Sequence, residues 1–419
     1  MNGVIRFSKR WSGAVWIAGL SLCVAIGLAA GVFIFAQGLW ATNLSDLVPW
    51  GLWITIDLSS IALSAGAFLL SATVYLLRVK RLMPVAKTAV FIGLIGYSMA
   101  VMTLLLDIGR PDRFWHAMVF WNVHSPLWEV TMCVALYFTV LILEVLPIFG
   151  QATWFKRRWP RIAGWLHHIH KLAPFLAVAG LALSLLHQSS LGATYGVLKA
   201  RPVLYRPSMA MMFLLSAMAA GPAFTVLVSK IAGRLSSAAV VDRDLLDQVS
   251  YAIGWVLVAY LYVRAWDTLA QLYTYEPGRS EGLSLLLTGP LSFNFWVGEI
   301  GLGIIVPMII LLSTRLRQYE RAHLLALLLV VAGLIAHRWD TNIVGQMLVM
   351  QANPFADAPV YTHYVPSLIE ILAGVGVIAY GVLAITLGIR FLHIVQHKDA
   401  AVTVAVVDGR VETAVFSGD

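Results

Sequence analysis

Val101-Met102-Thr103-Leu104-Leu105-Leu106 leads directly into Asp107-Ile108-Gly109-Arg110-Pro111-Asp112-Arg113-Phe114-Trp115-His116. An apolar run ends where four formal charges, a helix-ending Gly/Pro pair and two aromatic rings meet. Gly109 and Pro111 stop a helix, Asp107 and Arg110 stand three apart as a pair, and Trp115 suits a boundary between lipid and water. Termination alone does not require two arginines, Arg110 and Arg113, beside an apolar edge. The cluster therefore also reads as a membrane-surface site for an anion or a quinone headgroup, with Asp107 or His116 as proton carriers.

The rest of the chain says what medium the run is leaving. Its 419 residues are 60% hydrophobic and 12% charged, with a mean hydropathy of +0.82. One water-soluble core cannot bury that much apolar surface. Apolar segments of about 18 residues or more recur, each long enough to cross a hydrocarbon core of about 30 Å as a helix. They lack the two-residue alternation of a transmembrane barrel. The sequence thus predicts an all-α integral membrane protein with about ten spans, near 14–37, 50–77, 86–106, 127–149, 172–194, 207–229, 246–273, 293–313, 322–336 and 367–390. The charged continuation His337-Arg338-Trp339-Asp340 can extend the ninth.

Lys and Arg test this topology, because cytoplasmic loops are enriched in them. The N-terminus, the loops after even-numbered spans and the C-terminus hold 21, the other loops 7, and Arg264 lies within a span. That asymmetry predicts both termini on the cytoplasmic side. Arg6, Lys9 and Arg10 precede a long apolar run with no clear small-residue cleavage site, which favours a retained first helix over a cleaved signal peptide. Residues 1–396 read as one transmembrane domain and 397–419 as a cytoplasmic tail.

With this orientation, most ionisable groups inside spans gather toward the outer side: Asp57, Glu129, His187, Arg264, Asp267, Glu299 and Glu370, against Glu144 alone toward the inner side. Intramembrane charge is costly and by default functional or paired. A weak internal repeat aligns spans 2–5 with 6–9, setting Trp128-Glu129 beside Trp296-Val297-Gly298-Glu299 and His187-Gln188 beside His337-Arg338. A shift of four spans keeps orientation, so the repeat is parallel and predicts two four-helix bundles, over 14–206 with the first helix and over 207–336, plus a last helix at 367–390.

Each candidate residue has a bland reading beside its chemical one. Asp57 handles protons or neutralises an arginine. Glu129 carries protons or complements a helix dipole. His187 heads the polar patch Gln188-Ser189-Ser190 as a proton exchanger or an interfacial hydrogen-bonding group. Arg264 and Asp267, three apart, form a self-neutralising pair. Cys23 and Cys133 lie in apolar runs and offer neither a disulfide framework nor a cluster-ligand spacing. Of the 11 histidines only His187 and His337 lie near spans at comparable depth. Neither an intrinsic haem, nor an iron–sulfur cluster, nor a metal site is expected.

Three stretches resemble a known family. Leu106-Asp107-Ile108-Gly109-Arg110-Pro111-Asp112-Arg113-Phe114-Trp115-His116, Leu186-His187-Gln188-Ser189-Ser190-Leu191-Gly192 and Pro49-Trp50-Gly51-Leu52-Trp53 are similar to signatures of the NrfD/PsrC-like membrane subunits of quinone-linked oxidoreductases, especially the ten-span branch with the hydrogenase-2 membrane subunit. The resemblance spans roughly residues 10–395. It implies a cofactor-free subunit of a bacterial inner membrane that binds menaquinone or ubiquinone near the outer surface. Its partners would be an extracytoplasmic ferredoxin-like iron–sulfur subunit and a catalytic redox subunit, without nucleic acid. Asp57, Asp107, His187 and Glu129 would carry the proton chemistry, and Arg110, Arg113, Trp115, His116, Gln188 and Ser189 would line or support the pocket. Glu144, Tyr137, Ser64 and Ser71 would be inner-side stepping stones if protons move across the membrane. The rival readings are an ion or solute transporter, which predicts midplane charges, and a haem-b cytochrome.

Overall fold

A computed structural model of the chain describes residues 2–76, 79–169, 172–235, 242–351, 358–392, 394–395, 404–407 and 410–413. Among them are ten helices long and apolar enough to cross a membrane. They are α1 (Asn2–Gln37), α2 (Leu52–Leu76), α3 (Met83–Asp107), α4 (Pro126–Gln151), α5 (Ala173–Gly196), α6 (Ser208–Leu235), α7 (Arg243–Tyr273), α8 (Asn294–Leu312), α9 (Glu320–Met347) and α10 (Leu368–Leu387). All ten expected spans are present, and the chain is a multi-pass membrane protein. In the expected tail, Val404–Val407 pairs antiparallel with Arg410–Thr413.

Packing follows a cycle of four. Helices α2 and α3, α3 and α4, α4 and α5, and α2 and α5 touch, closing one ring. Helices α6 and α7, α7 and α8, α8 and α9, and α6 and α9 close a second in the same order. The rings meet where α6 packs on α2 and α5 and where α9 packs on α2, while α1 and α10 pair outside and lean on α3. Two tryptophans at equivalent places brace the loops: Trp128 Nε1 donates to Ala117 O at 2.8 Å and Trp296 Nε1 to Leu287 O at 2.9 Å.

Small residues make the central crossing. A methyl group on Gly66 would overlap the carbonyl of Ala217, and one on Gly221 would overlap the backbone of Gly66 and Ala67. Without apolar solvent to expel, helices in lipid gain from such close backbone approach. Helix α8 opens as a π-helix over Asn294–Ile305, where Gly303 lies against Gly333 of α9. Helix α9 continues through His337, Arg338 and Asp340, all buried, so the short ninth span expected at 322–336 is a full-length helix with charges in its interior.

The loops at the Asp107 end are tied down by polar contacts. Glu370 in the first turn of α10 completes a capping box with Ser367 and accepts from Asn43 N at 3.0 Å, and the Tyr364 hydroxyl donates to it. Asn342 Nδ2 of α9 donates to the carbonyls of Trp50 and Gly51, each at 3.0 Å. The strands Leu348–Gln351 (β1) and Ala358–Tyr361 (β2) form an antiparallel hairpin after α9.

Candidate functional site

In the α2–α5 ring, the quoted stretch resolves into two parts with different surroundings. Asp107 is the last residue of α3, and its Oδ1 is shielded and has no hydrogen-bond partner. Gly109 then turns the chain with φ of 68°. The following residues leave the interior: Arg110, Arg113 and Trp115 are exposed and His116 is half-buried. Arg110 pairs bidentately with Asp112, at 3.1 and 3.0 Å, rather than with Asp107. That pair holds the Asp112 carboxyl below its usual range. The i,i+3 pairing expected from spacing fails because the positive φ at Gly109 breaks the helical register between the two residues.

Asp57 of α2 is buried, its Oδ1 also lacks a partner, and Asp107 is the charge that acts on it. Among the described residues neither carboxylate forms an ion pair. Deeper in the ring, the Tyr97 hydroxyl of α3 is hydrogen-bonded to His187 Nδ1 of α5, while His187 Nε2 has no partner. His187 and Tyr97 are fully buried, with rings 5.6 Å apart. Gln188 is buried with its amide nitrogen unpartnered. Ser189 is half-buried and bonds back to Leu185 and Leu186. Glu129 starts α4 and accepts from Ser190 Oγ at 2.6 Å.

Residues outside the expected site complete this region. Tyr195 lies within electrostatic reach of Asp57, Asp107, Arg201 and Arg338, stacks obliquely on Trp50 at 5.2 Å and donates to Asn342 Oδ1 at 2.9 Å. Arg338 is fully buried between the rings. Its Nη2 reaches Gln188 Oε1, Phe213 O and Ser216 Oγ, its guanidinium stacks on Phe213 at 3.6 Å, and its Nε and Nη1 have no partner. The signal for Arg338 is the alignment of His187-Gln188 with His337-Arg338. Tyr97 carries no signal beyond being a tyrosine in an apolar span.

The Tyr97 ring also meets that of Tyr137 edge-on at 4.9 Å, and the buried Tyr137 hydroxyl lies beside those of Ser64 and Ser184 without forming a well-aligned hydrogen bond. Ser64 Oγ donates to Gly93 O at 2.7 Å, Ser71 Oγ has no partner, and Glu144 Oε1 is shielded and unpartnered. These four form a sparse polar series toward the far end of the ring.

The α6–α9 ring uses similar residues differently. Tyr260 and His337 repeat the Tyr–His arrangement, with rings 5.6 Å apart at 74°, against 72° for Tyr97 and His187. Here the polar groups are joined. Arg264 donates to both oxygens of Glu299 at 2.9 and 3.2 Å and to Asp267 at 3.2 Å, while Tyr260 donates to Glu299 at 3.0 Å. His337 Nδ1 lies 3.1 Å from Glu299. Asp267 also receives Arg206 at 2.7 Å. The self-neutralising reading of Arg264 and Asp267 therefore holds, with Glu299 as an additional partner.

Known proteins are similar to this chain over most of its length. Residues 40–350 match the family described as polysulphide reductase, NrfD. The chain is 33% identical, over 91% of its length and 91% of the relative's, to the menaquinone reductase integral membrane subunit of Nitratidesulfovibrio vulgaris. It is 26% identical to the probable Ni/Fe-hydrogenase 2 b-type cytochrome subunit of Escherichia coli, over 92% of this chain and 93% of the relative. It is 23% identical to the Hdr-like menaquinol oxidoreductase integral membrane subunit of Archaeoglobus fulgidus, over 90% and 93%.

Proposed function

We infer the function from a family premise: this chain belongs to the NrfD polysulphide reductase family. It is the quinone-reactive membrane subunit of a respiratory oxidoreductase, exchanging electrons between membrane menaquinone or ubiquinone and an extracytoplasmic iron–sulfur subunit. The observation that carries this reading is the Tyr97–His187 pair, whose free imidazole nitrogen shares a ring of helices with two shielded carboxylates that have no cation partner among the described residues. Unpartnered buried polar groups are costly, and they persist where a ligand satisfies them.

The chemistry fits the arrangement. Reduction of a quinone adds two electrons and two protons, so each ring oxygen needs a donor that can be reloaded. His187 Nε2 and the Asp57/Asp107 pair supply such groups at the Asp107 end. Trp50 and Tyr195 provide flat apolar faces for the ring. Asp107 lies where the chain emerges, so protons can exchange with the outer side. Exposed Arg110, Arg113 and Trp115 sit on that rim, suited to meeting the iron–sulfur partner. The series Tyr137, Ser64, Ser71 and Glu144 would extend proton exchange to the cytoplasmic side. Menaquinone is the first candidate because the relative from N. vulgaris is a menaquinone reductase subunit.

The test is quinone content and headgroup-analogue binding of the purified complex, with electron transfer measured in parallel, for His187→Ala, Asp57→Asn and Arg113→Ala. The first two are expected to lose binding and turnover, and the third to lose turnover through weaker partner docking. If His187→Ala and Asp57→Asn both bind the analogue normally and transfer electrons at full rate, this site is wrong.

A further inference from the structure

A cleft of about 550 Å³ opens between the ends of α6 and α7 that lie on the Asp107 side. Its volume is in the range that holds a small-molecule headgroup. The floor is made by Arg206, just before α6, and by Asp267 and Gln271 of α7, with Arg279 at one edge, where it pairs with Glu276. The outer wall is Tyr262 and Trp266, four apart on α7 and 66% and 53% exposed. This helix has 31 residues, about 46 Å at 1.5 Å per residue. It is longer than a core of about 30 Å requires, and an exposed Trp266 two turns before its end suits headgroup level.

Two of the residues lining the floor each carry a buried polar atom without a hydrogen-bond partner. Asp267 is shared between Arg206 and Arg264, and Arg206 spends only Nε on it, leaving its Nη1 buried without a partner. That nitrogen calls for an anionic oxygen, and the planar guanidinium matches a phosphate. The second orphan has the opposite sense. Gln271 Nε2 is engaged with Asp267, at 3.2 Å to its backbone and to its carboxylate, and Gln271 Oε1 is buried without a donor. A single occupant that satisfies both must offer an anionic acceptor and a hydroxyl or ammonium donor together.

We propose that this cleft binds one phospholipid of the outer leaflet, its phosphodiester on Arg206 and its glycerol hydroxyl or ethanolamine ammonium on Gln271, with its ester region beside Trp266 and acyl chains against Tyr262. A quinone fits less well, because its neutral carbonyls give Arg206 a weaker acceptor and give Gln271 no donor. A choline headgroup has no N–H or O–H to give Gln271.

The experiment is native mass spectrometry of the full chain in its complex, exchanged into detergent with phosphatidylglycerol, phosphatidylethanolamine or phosphatidylcholine. The first two are expected to be retained about tenfold better than the third, the worth of one hydrogen bond to a charged or polar group. Gln271→Met should abolish that preference. Arg206→Gln and Trp266→Ala should lower retention of all three; Trp266 is exposed, so its variant stays informative if Arg206→Gln fails to fold. Equal retention of phosphatidylcholine by the unaltered chain overturns the proposal. So does displacement of the lipid by millimolar inorganic phosphate, which marks a free-anion site, or recovery of quinone in place of lipid. Analogue binding at the Tyr97–His187 site is measured on the same samples, so failure here is distinguishable from failure of the quinone reading.

Discussion

Replacing Arg264 by methionine should destabilise the α6–α9 ring severely, and replacing its partner as well should recover much of the loss. The Arg264 side chain is 4% exposed and that of Glu299 fully buried, so neither is screened by water. Arg264→Met removes both donors to the Glu299 carboxylate and the one at 3.2 Å to Asp267. Asp267 keeps Arg206 and Ser208, but Glu299 keeps only Tyr260 and the nearby His337. Stranding one member of a buried pair costs about 3–5 kcal/mol, whereas replacing both by apolar groups of similar volume is often neutral or stabilising. The assay is a double-mutant cycle of Arg264→Met, Glu299→Leu and the double variant, followed by SDS-titrated unfolding in mixed micelles. A coupling of about 2 kcal/mol or more is expected, the double variant being more stable than Arg264→Met. If the two single losses add to the double loss, the pair does not act as a buried neutral unit and the account of this ring fails.

Three further outcomes follow from the packing. Gly66→Val should overlap the Ala217 carbonyl at the central crossing of α2 and α6 and cost about 1–3 kcal/mol or more, read as a lower melting temperature in detergent. Ser367→Ala should remove one half of the capping box and cost about 0.5–2 kcal/mol, with faster hydrogen exchange confined to the first turns of α10. Arg110→Ala should leave the melting temperature in detergent unchanged, since its pair with Asp112 is solvent-exposed, while still slowing electron transfer if the rim meets a partner.

The spans are legible because crossing a bilayer imposes a length and a polarity that few other structures share. The alternation of Lys and Arg supplies an expected topology. Even so, the apolar run of the ninth span stops at 336, because His337, Arg338 and Asp340 interrupt it. The helix carries them to Met347 because Asn294 donates to Asp340 at 2.7 Å and Phe213 faces Arg338. Partners on other helices are invisible to a local reading. For the same reason Asp57, Asp107 and His187 are readable as candidates, but Tyr97 is not. It lies 90 residues from His187 in sequence, and only the packing of α3 and α5 around α2 and α4 brings them together. Arg110 and Arg113 are conspicuous by charge alone, and the structure leaves both exposed.

The contrast between the two rings argues most directly for where the chemistry resides. Both set a tyrosine and a histidine at the same ring separation, with angles of 72° and 74°. In the α6–α9 ring, Arg264, Glu299, Asp267 and Arg206 join into one network. Such a network supplies each of these carboxylates with a cation, while Nε2 of the adjacent His337 stays without a partner. In the α2–α5 ring no arginine among the described residues pairs with Asp57 or Asp107, which like His187 each retain an unpartnered buried atom; His337 and Asp340 of α9 retain one too, whereas Glu299 and Asp267 do not. A filled network stabilises its own fold, whereas groups left open lower stability unless something binds them. Both halves hold open groups, so the difference lies in the carboxylates: Asp57 and Asp107 lack the cation that Glu299 and Asp267 have, and a ligand there would repay their cost. In a mutational scan, substitutions at Arg264, Glu299 and Asp267 should therefore be felt first in stability and those at Asp57, Asp107 and His187 first in quinone turnover.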